Sequence, residues 1–307
     1  MKIMITGIGA IGGYLASVLT LHYPDAVTVV ARRGRRASIE AKGLVLHSAI
    51  LGEKVTHPKV TDVPAEAGIQ DVIFVCVKNY SLAAALEAIV PCVGPETIVV
   101  PMINGVDHDE VARSILPEGT KLVDTVIYIN SAAEADYSIH QLSNFAIVFV
   151  GSDDKAAEKK IFDLIDHEGF KVHIAGDVRV EMWNKYITNC AYNVITAYYE
   201  KTIGEILALP QGKDELHALL TEAQAVGTAL GVAIDPQQAE TIFGRILRQK
   251  NKDVYSSLAL DFMHHHQNEL ETFSGYIVRT GKKLGVDVSV SERMYEALKE
   301  RSSTFAK

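Results

Sequence analysis

Residues 2–13 read Lys2-Ile3-Met4-Ile5-Thr6-Gly7-Ile8-Gly9-Ala10-Ile11-Gly12-Gly13, and the order of these residues decides the fold. Lys2–Thr6 is a short apolar strand, Ala10–Leu21 has apolar residues at helical spacing, and Val27–Ala31 is a β-branched strand. The Gly-x-Gly-x-x-Gly therefore follows a strand, opens a helix and lies in a βαβ unit of about 30 residues, the context that gives such a motif meaning. There Gly7 permits the tight turn, Gly9 lets a pyrophosphate approach the backbone, and Gly12 lets helix and strand pack closely. The helix start at Ala10 and Ile11 offers free N–H groups and a positive dipole end to phosphates.

Working outward, strand and helix patterns alternate. Gly34–Lys42 reads as a helix and Leu44–Thr56 as a hairpin or irregular excursion. Asp71–Val77 is a near-continuous apolar run, as strands buried on both faces tend to be. Leu82–Val90 is helical, Thr97–Ile103 a strand, Asp107–Leu116 helical and Lys121–Ile129 a strand. The alternation predicts an α/β, Rossmann-type doubly wound parallel sheet. Tyr137–Val150 reads as further, antiparallel strands, Asp154–Glu168 as a helix and Lys171–Ala175 as a last strand. Beyond Val178 strand signals vanish. Helices are expected at about 178–200, 202–209, 213–230, 235–248, 253–284 (with a break allowed) and 291–303, with Pro236 just inside a helix start behind Asp235. The expected layout is a nucleotide-binding domain over 1–176 and an all-α substrate-binding domain over 177–307.

Composition narrows the function classes. The 307 residues are 48% hydrophobic and 22% charged, with a net charge of −8. That is ordinary for a globular chain and lacks the basic excess of a nucleic-acid binder. Cys76, Cys92 and Cys190 are odd in number and without CxxC spacing, so no disulfide framework or zinc site is expected and a reducing cytoplasm fits. Glycines interrupt the N-terminal apolar stretch, and no other apolar run approaches the roughly twenty residues of a membrane span. His264-His265-His266 invites a metal reading, but consecutive helical residues point about 100° apart and cannot ligate one ion together. No metal is expected.

The end of the second strand indicates the cofactor. An NAD site would place Asp or Glu there for the ribose hydroxyl. Here the chain runs Val30-Ala31-Arg32-Arg33, with Arg35 and Arg36 beyond and no carboxylate before Glu40. Guanidinium groups match a 2′-phosphate in charge and geometry. NADPH is the expected cofactor and Arg32 the first candidate to bind it. Two more polar residues, Lys78 and Asn104, follow apolar strands, where ligands bind in such sheets. Lys78 could serve a cofactor phosphate or the substrate side, and Asn104 the nicotinamide ribose or a reacting carbonyl.

In the helical half, Lys185, Asn189 and Asn193 recur every fourth residue among Trp183, Ile187, Cys190, Ala191 and Val194. On a helix they form one polar stripe. Buried without partners they would be costly, so they fit a wet cleft completed by a polar ligand. Ser257 opens an apolar stretch, and Glu269 precedes Leu270 and Phe273.

Taken in order, these segments resemble the ketopantoate reductase (2-dehydropantoate 2-reductase) family over nearly the whole chain. The resemblance rests on GIGAIGG at Gly7–Gly13, Arg32, VCVKNYS around Lys78, INGVD around Asn104, MWNKYITNCAYNVITA at Met182–Ala197, Ser256-Ser257 followed by Asp261, and NELETFSGYIV at Asn268–Val278. It implies an NADP-dependent enzyme of pantothenate and coenzyme A biosynthesis. Lys185 would give the proton as hydride reaches C2, and Glu269 would bind the substrate hydroxyl and pair with the lysine. Asn104, Asn189, Asn193 and Ser257 would contact the substrate, a small 2-oxo acid, and Lys78 would lie near the cofactor. The chain departs from the family at Val194, where many members have proline, and at Ile203 and Val254, where some have asparagine. Loss of amide donors at the last two positions points to a related reductase of a different 2-oxo acid as the alternative. A non-catalytic nucleotide-binding regulator on the same fold is a third reading, disfavoured by the retained Lys185, Asn189 and Glu269. A homodimer is the one macromolecular partner left open.

Overall fold

A computed structural model describes residues 1–305. The chain opens with β1 (Ile3–Thr6), α1 (Ala10–His22), β2 (Val27–Val30), α2 (Arg33–Lys42), β3 (Leu44–Ser48), β4 (Gly52–Thr56) and β5 (Lys59–Thr61). It continues with β6 (Gln70–Val75), α3 (Leu82–Ile89), β7 (Val93–Pro101), α4 (His108–Ile115), β8 (Lys121–Leu122) and β9 (Asp124–Tyr128). β10 (Ser131–Ala133), β11 (Ile139–Gln141), β12 (Ile147–Gly151), α5 (Lys155–Ile165) and β13 (Lys171–Ile174) complete the first unit, Met1–Val178.

Six strands form a parallel sheet in the order β5-β2-β1-β6-β7-β8. The alternation of side chains along a strand sends its residues to two separate cores. Ile3, Ile5, Val72, Phe74, Ile98 and Val100 join α1 on one face. Met4, Ile73, Val75 and Val99 join Leu82, Leu86 and Ile89 of α3 and Ala112 of α4 on the other. The doubly wound sheet expected from the apolar runs is therefore observed. Its outer strand β5 was not anticipated, because three residues behind a proline carry too short a pattern.

Lys121–Ile129 was expected as one strand and is two. β8 pairs with β7 only through Ile98↔Lys121 and Val99↔Leu122, whereas β9 leaves to pair antiparallel with β12. Proline explains the break. The Val99 carbonyl faces the β8 side, accepting from Val123 N–H at 3.1 Å, so Pro101, two residues on, faces the same side. It has no N–H to continue the ladder. Its carbonyl is taken instead by the Thr125 hydroxyl at 2.7 Å. The expected hairpin at Leu44–Thr56 is present as β3–β4, within a sheet of order β10-β11-β3-β4. Not all the added strands are antiparallel: β11 runs parallel to β3, and β13 parallel to β12.

The second unit, from Arg179 onward, is helical. Its elements are α6 (Val178–Tyr199), α7 (Ile203–Leu207), α8 (Gly212–Ala229), α9 (Gln238–Arg248), α10 (Ser257–Met263), α11 (Tyr276–Leu284) and α12 (Ser289–Ser302). Thr202 and Glu205 close a reciprocal capping box at α7, an arrangement that stabilises a helix start by about 1 kcal/mol. Pro236 lies outside α9, not inside it. Asp235 instead organises a turn before the helix, accepting from Gln237 N–H at 2.8 Å. The expected 253–284 helix is broken: α10 ends at Met263, and a π-helical turn, Glu271–Gly275, leads into α11. No helix among the described residues is long and apolar enough to cross a membrane.

Candidate active site

The first unit presents its candidate residues along one sheet edge. Thr6 is in register with Val30 and Val75, and Val75 with Pro101. The loops after β2, β1, β6 and β7 therefore leave at one level, at the carboxyl ends where such sheets bind ligands. This brings Arg32, the Gly7–Gly12 turn, Lys78 and Asn104 to the same rim.

The three motif glycines meet three different demands. Gly7 has φ +87°, and a Cβ there would lie 2.6 Å from the Cys76 carbonyl carbon. Gly12 faces the strand: a Cβ would stand 2.1 Å from the Gly7 carbonyl oxygen. A Cβ at Gly9 would meet nothing within 4 Å, so the space above it is open. Ala10 and Ile11, partly exposed, begin α1, whose first N–H groups have no intrahelical acceptor. An open backbone turn with outward N–H groups fits a dinucleotide pyrophosphate.

Four arginines around the start of α2 have different commitments. Arg36 is tied to Glu40 at 2.8 Å and also to Asp62. Arg35 lies over the Tyr137 ring, its guanidinium carbon 4.9 Å from the centroid. Arg32 and Arg33 are exposed and enter no ion pair formed by the described residues. Of the four, these two have neither an ion pair nor a ring contact among the described residues and are the most open to an anion. Arg33 also holds a φ of +50°, which a side-chain-bearing residue rarely adopts. Neighbouring strand-end loops are linked through Asn79, whose amide reaches the Asp107 carboxylate at 3.5 Å. The sequence reading missed this link, and the polar Asn79 directly after Lys78 was its only signal.

The second unit carries the other residues. The buried face of α6 includes Trp183, Tyr186, Ile187, Cys190, Ala191 and Val194. Lys185 and Asn189 are partly buried, and Asn193 is buried. Asn193 is engaged by protein partners. Its side-chain oxygen accepts from Ser257 Oγ–H at 3.2 Å and Leu258 N–H at 3.3 Å. Its amide nitrogen donates to the Asn189 carbonyl at 3.1 Å. Asn193, expected as a substrate ligand, is also placed to hold Ser257, which stands exposed at the start of α10.

Lys185 is electrostatically coupled to Glu269. Burial pushes the Lys185 ammonium down to about 8, because low-dielectric surroundings disfavour the charge, while the Glu269 carboxylate pulls the other way. Glu269 is 3% exposed and immediately precedes Leu270 and the π-helical turn. Such turns concentrate at functional sites. The departures noted in sequence separate here. Ile203 is fully buried at the start of α7, so its side chain belongs to the core. Val254 is 43% exposed.

Comparison with known proteins shows the family to which the chain belongs. Ketopantoate reductase PanE/ApbA matches residues 3–153, and the ketopantoate reductase PanE/ApbA C-terminal family matches 177–302. The chain is 27% identical to the uncharacterized oxidoreductase YkpB of Bacillus subtilis, across 97% of this chain and 98% of that protein. It is 29% identical to a 2-dehydropantoate 2-reductase of Mesorhizobium japonicum, across 76% and 77% of the two chains. A solved 2-dehydropantoate 2-reductase of Porphyromonas gingivalis superposes with a TM-score of 0.82 at 26% identity, covering 97% of this chain and 99% of that one. With both halves of the chain matched in order, this protein is an oxidoreductase belonging to the ketopantoate reductase PanE/ApbA family.

Proposed function

We propose that the protein reduces 2-dehydropantoate to pantoate with NADPH, in pantothenate and coenzyme A biosynthesis. The observation that carries the reading is the desolvated ammonium of Lys185 coupled to the buried carboxylate of Glu269. A lysine near 8 holds a transferable proton close to neutral pH, where general acids work best. When bound, the nicotinamide supplies the hydride to C2. Lys185 gives its Nζ proton to the oxygen that becomes the hydroxyl, and meets the negative charge as it forms. Glu269 holds the lysine charged and accepts from a substrate hydroxyl. Ser257 and Asn189 orient the acid, with Asn193 keeping Ser257 in place. Arg32 meets the 2′-phosphate, the Gly7–Gly12 turn the pyrophosphate, and Lys78 and Asn104 the reacting end of the cofactor.

One observation favours a second reading within the same chemistry. Val254 is exposed three residues before Ser257 and offers an apolar surface where some family members have an amide. A 2-oxo acid with an apolar side chain would suit it. The test is a steady-state assay of cofactor oxidation with 2-dehydropantoate and a panel of branched 2-oxo acids, with NADPH and NADH in parallel. Rapid turnover of 2-dehydropantoate with NADPH alone is expected. Faster turnover of another acid would overturn the named substrate, and equal use of NADH would overturn the cofactor.

A further inference from the structure

Tyr186 adjoins Lys185 on α6, and its ring is 2% exposed. Its hydroxyl donates to the backbone carbonyl of Thr272, inside the π-helical turn. The ring is fixed on both sides, edge-on to Trp183 at 5.4 Å and to Tyr276 at 6.1 Å. The turn is tied in the other direction to Glu269, whose carbonyl accepts from Phe273 N–H at 3.0 Å. A π-helical turn is a strained, uncommon arrangement and needs support from its surroundings. Here a buried phenol on the lysine's own helix supplies that support.

We propose that Tyr186 is a positioning residue: its bond to Thr272 anchors the π-helical turn to α6 and thereby holds Glu269 opposite Lys185. The inference rests on the reading of Lys185 and Glu269 as the catalytic pair. Removing only the hydroxyl keeps the aromatic packing while the turn loses its tether. Glu269 then acts less strongly on Lys185, and the lysine releases its proton at lower pH. The charge acting on Lys185 is that of Glu269. Glu271, at the start of the turn, is directed elsewhere, to Arg279 and Tyr295.

The test compares pH profiles of kcat for the full-length protein and three variants: Tyr186→Phe, Glu269→Gln and the double variant. In Tyr186→Phe the alkaline limb should move down by roughly 0.5–1 pH unit, the size expected when an opposite charge is partly withdrawn. Dinucleotide binding should stay unchanged. In the Glu269→Gln background the same substitution should move the limb no further, since the path runs through the carboxylate. An unmoved or upward-shifted limb in Tyr186→Phe, or an equal shift with and without Glu269, overturns the proposal. Lys185→Ala separates the two levels. If it retains full turnover, the catalytic reading itself fails. If it is inactive and Tyr186→Phe keeps the original profile, only the positioning role fails.

Discussion

The side-chain oxygen of Asn193 accepts a hydrogen bond from the Ser257 hydroxyl at 3.2 Å, joining α6 to the first turn of α10. The same oxygen takes the Leu258 N–H, one of the helix-start donors that would otherwise lack a partner. The two residues should therefore respond differently to truncation. Asn193→Ala should cost about 1–2 kcal/mol of stability, as lost caps and buried hydrogen bonds do, and also raise KM. Ser257→Ala should raise KM with little change in Tm. Thermal melts beside steady-state kinetics would check this, and equal Tm values for both variants would contradict it.

The proposed mechanism requires Lys185 protonated. Because burial lowers its proton affinity to about 8, kcat should be level at neutral pH and fall as pH rises through about 8. An ordinary exposed lysine would place that fall near 10. The sign for stability follows. Between about 8 and the unfolded value the unfolded chain binds more protons, so this group makes stability rise with pH across that window, and its cost is fully present below it. Lys185→Met should consequently raise Tm at pH 7 while abolishing turnover, a trade often seen at active sites. A kcat that stays level up to pH 10 would remove Lys185 as the proton donor.

The open space above Gly9 and the crowding at Gly12 separate ligand binding from folding. Gly9→Ala should fold normally, since its Cβ meets nothing within 4 Å, but bind NADPH weakly because the methyl occupies the pyrophosphate approach. Gly12→Ala should destabilise the fold, because its Cβ would lie 2.1 Å from a backbone oxygen. Cofactor titration and denaturant unfolding distinguish the two. Undiminished NADPH binding by Gly9→Ala would place the dinucleotide elsewhere.

Arg32 and Arg36 make a similar contrast. Arg32→Ala should weaken NADPH binding by ~2–3 kcal/mol, or about 30–150-fold, and leave NADH nearly unaffected. Arg36, already committed to Glu40 and Asp62, should change the NADPH-to-NADH preference little when replaced by alanine. Equal loss of both cofactors on replacing Arg32 would refute its 2′-phosphate role.

What the sequence determined alone is local and periodic. Apolar runs at Lys2–Thr6 and Asp71–Val77, glycines between strand and helix, and the loss of strand signals after Val178 are legible because each reflects backbone geometry within a few residues. The four-residue spacing of Lys185, Asn189 and Asn193 is legible for the same reason, as one helix repeats its face. The tertiary structure decided the rest, because those outcomes depend on partners distant along the chain. Pro101 splits the expected strand at Val123 because its missing N–H happens to face β8. Arg32 differs from Arg36 through the positions of Glu40 and Asp62, both of which pair with Arg36. Asn193 becomes a holder of Ser257, and Ile203 a core residue, through packing that no spacing reveals. The low proton affinity of Lys185 arises from burial, opposed by a carboxylate far along the sequence that stands just before a π-helical turn periodicity predicts only as a broken helix.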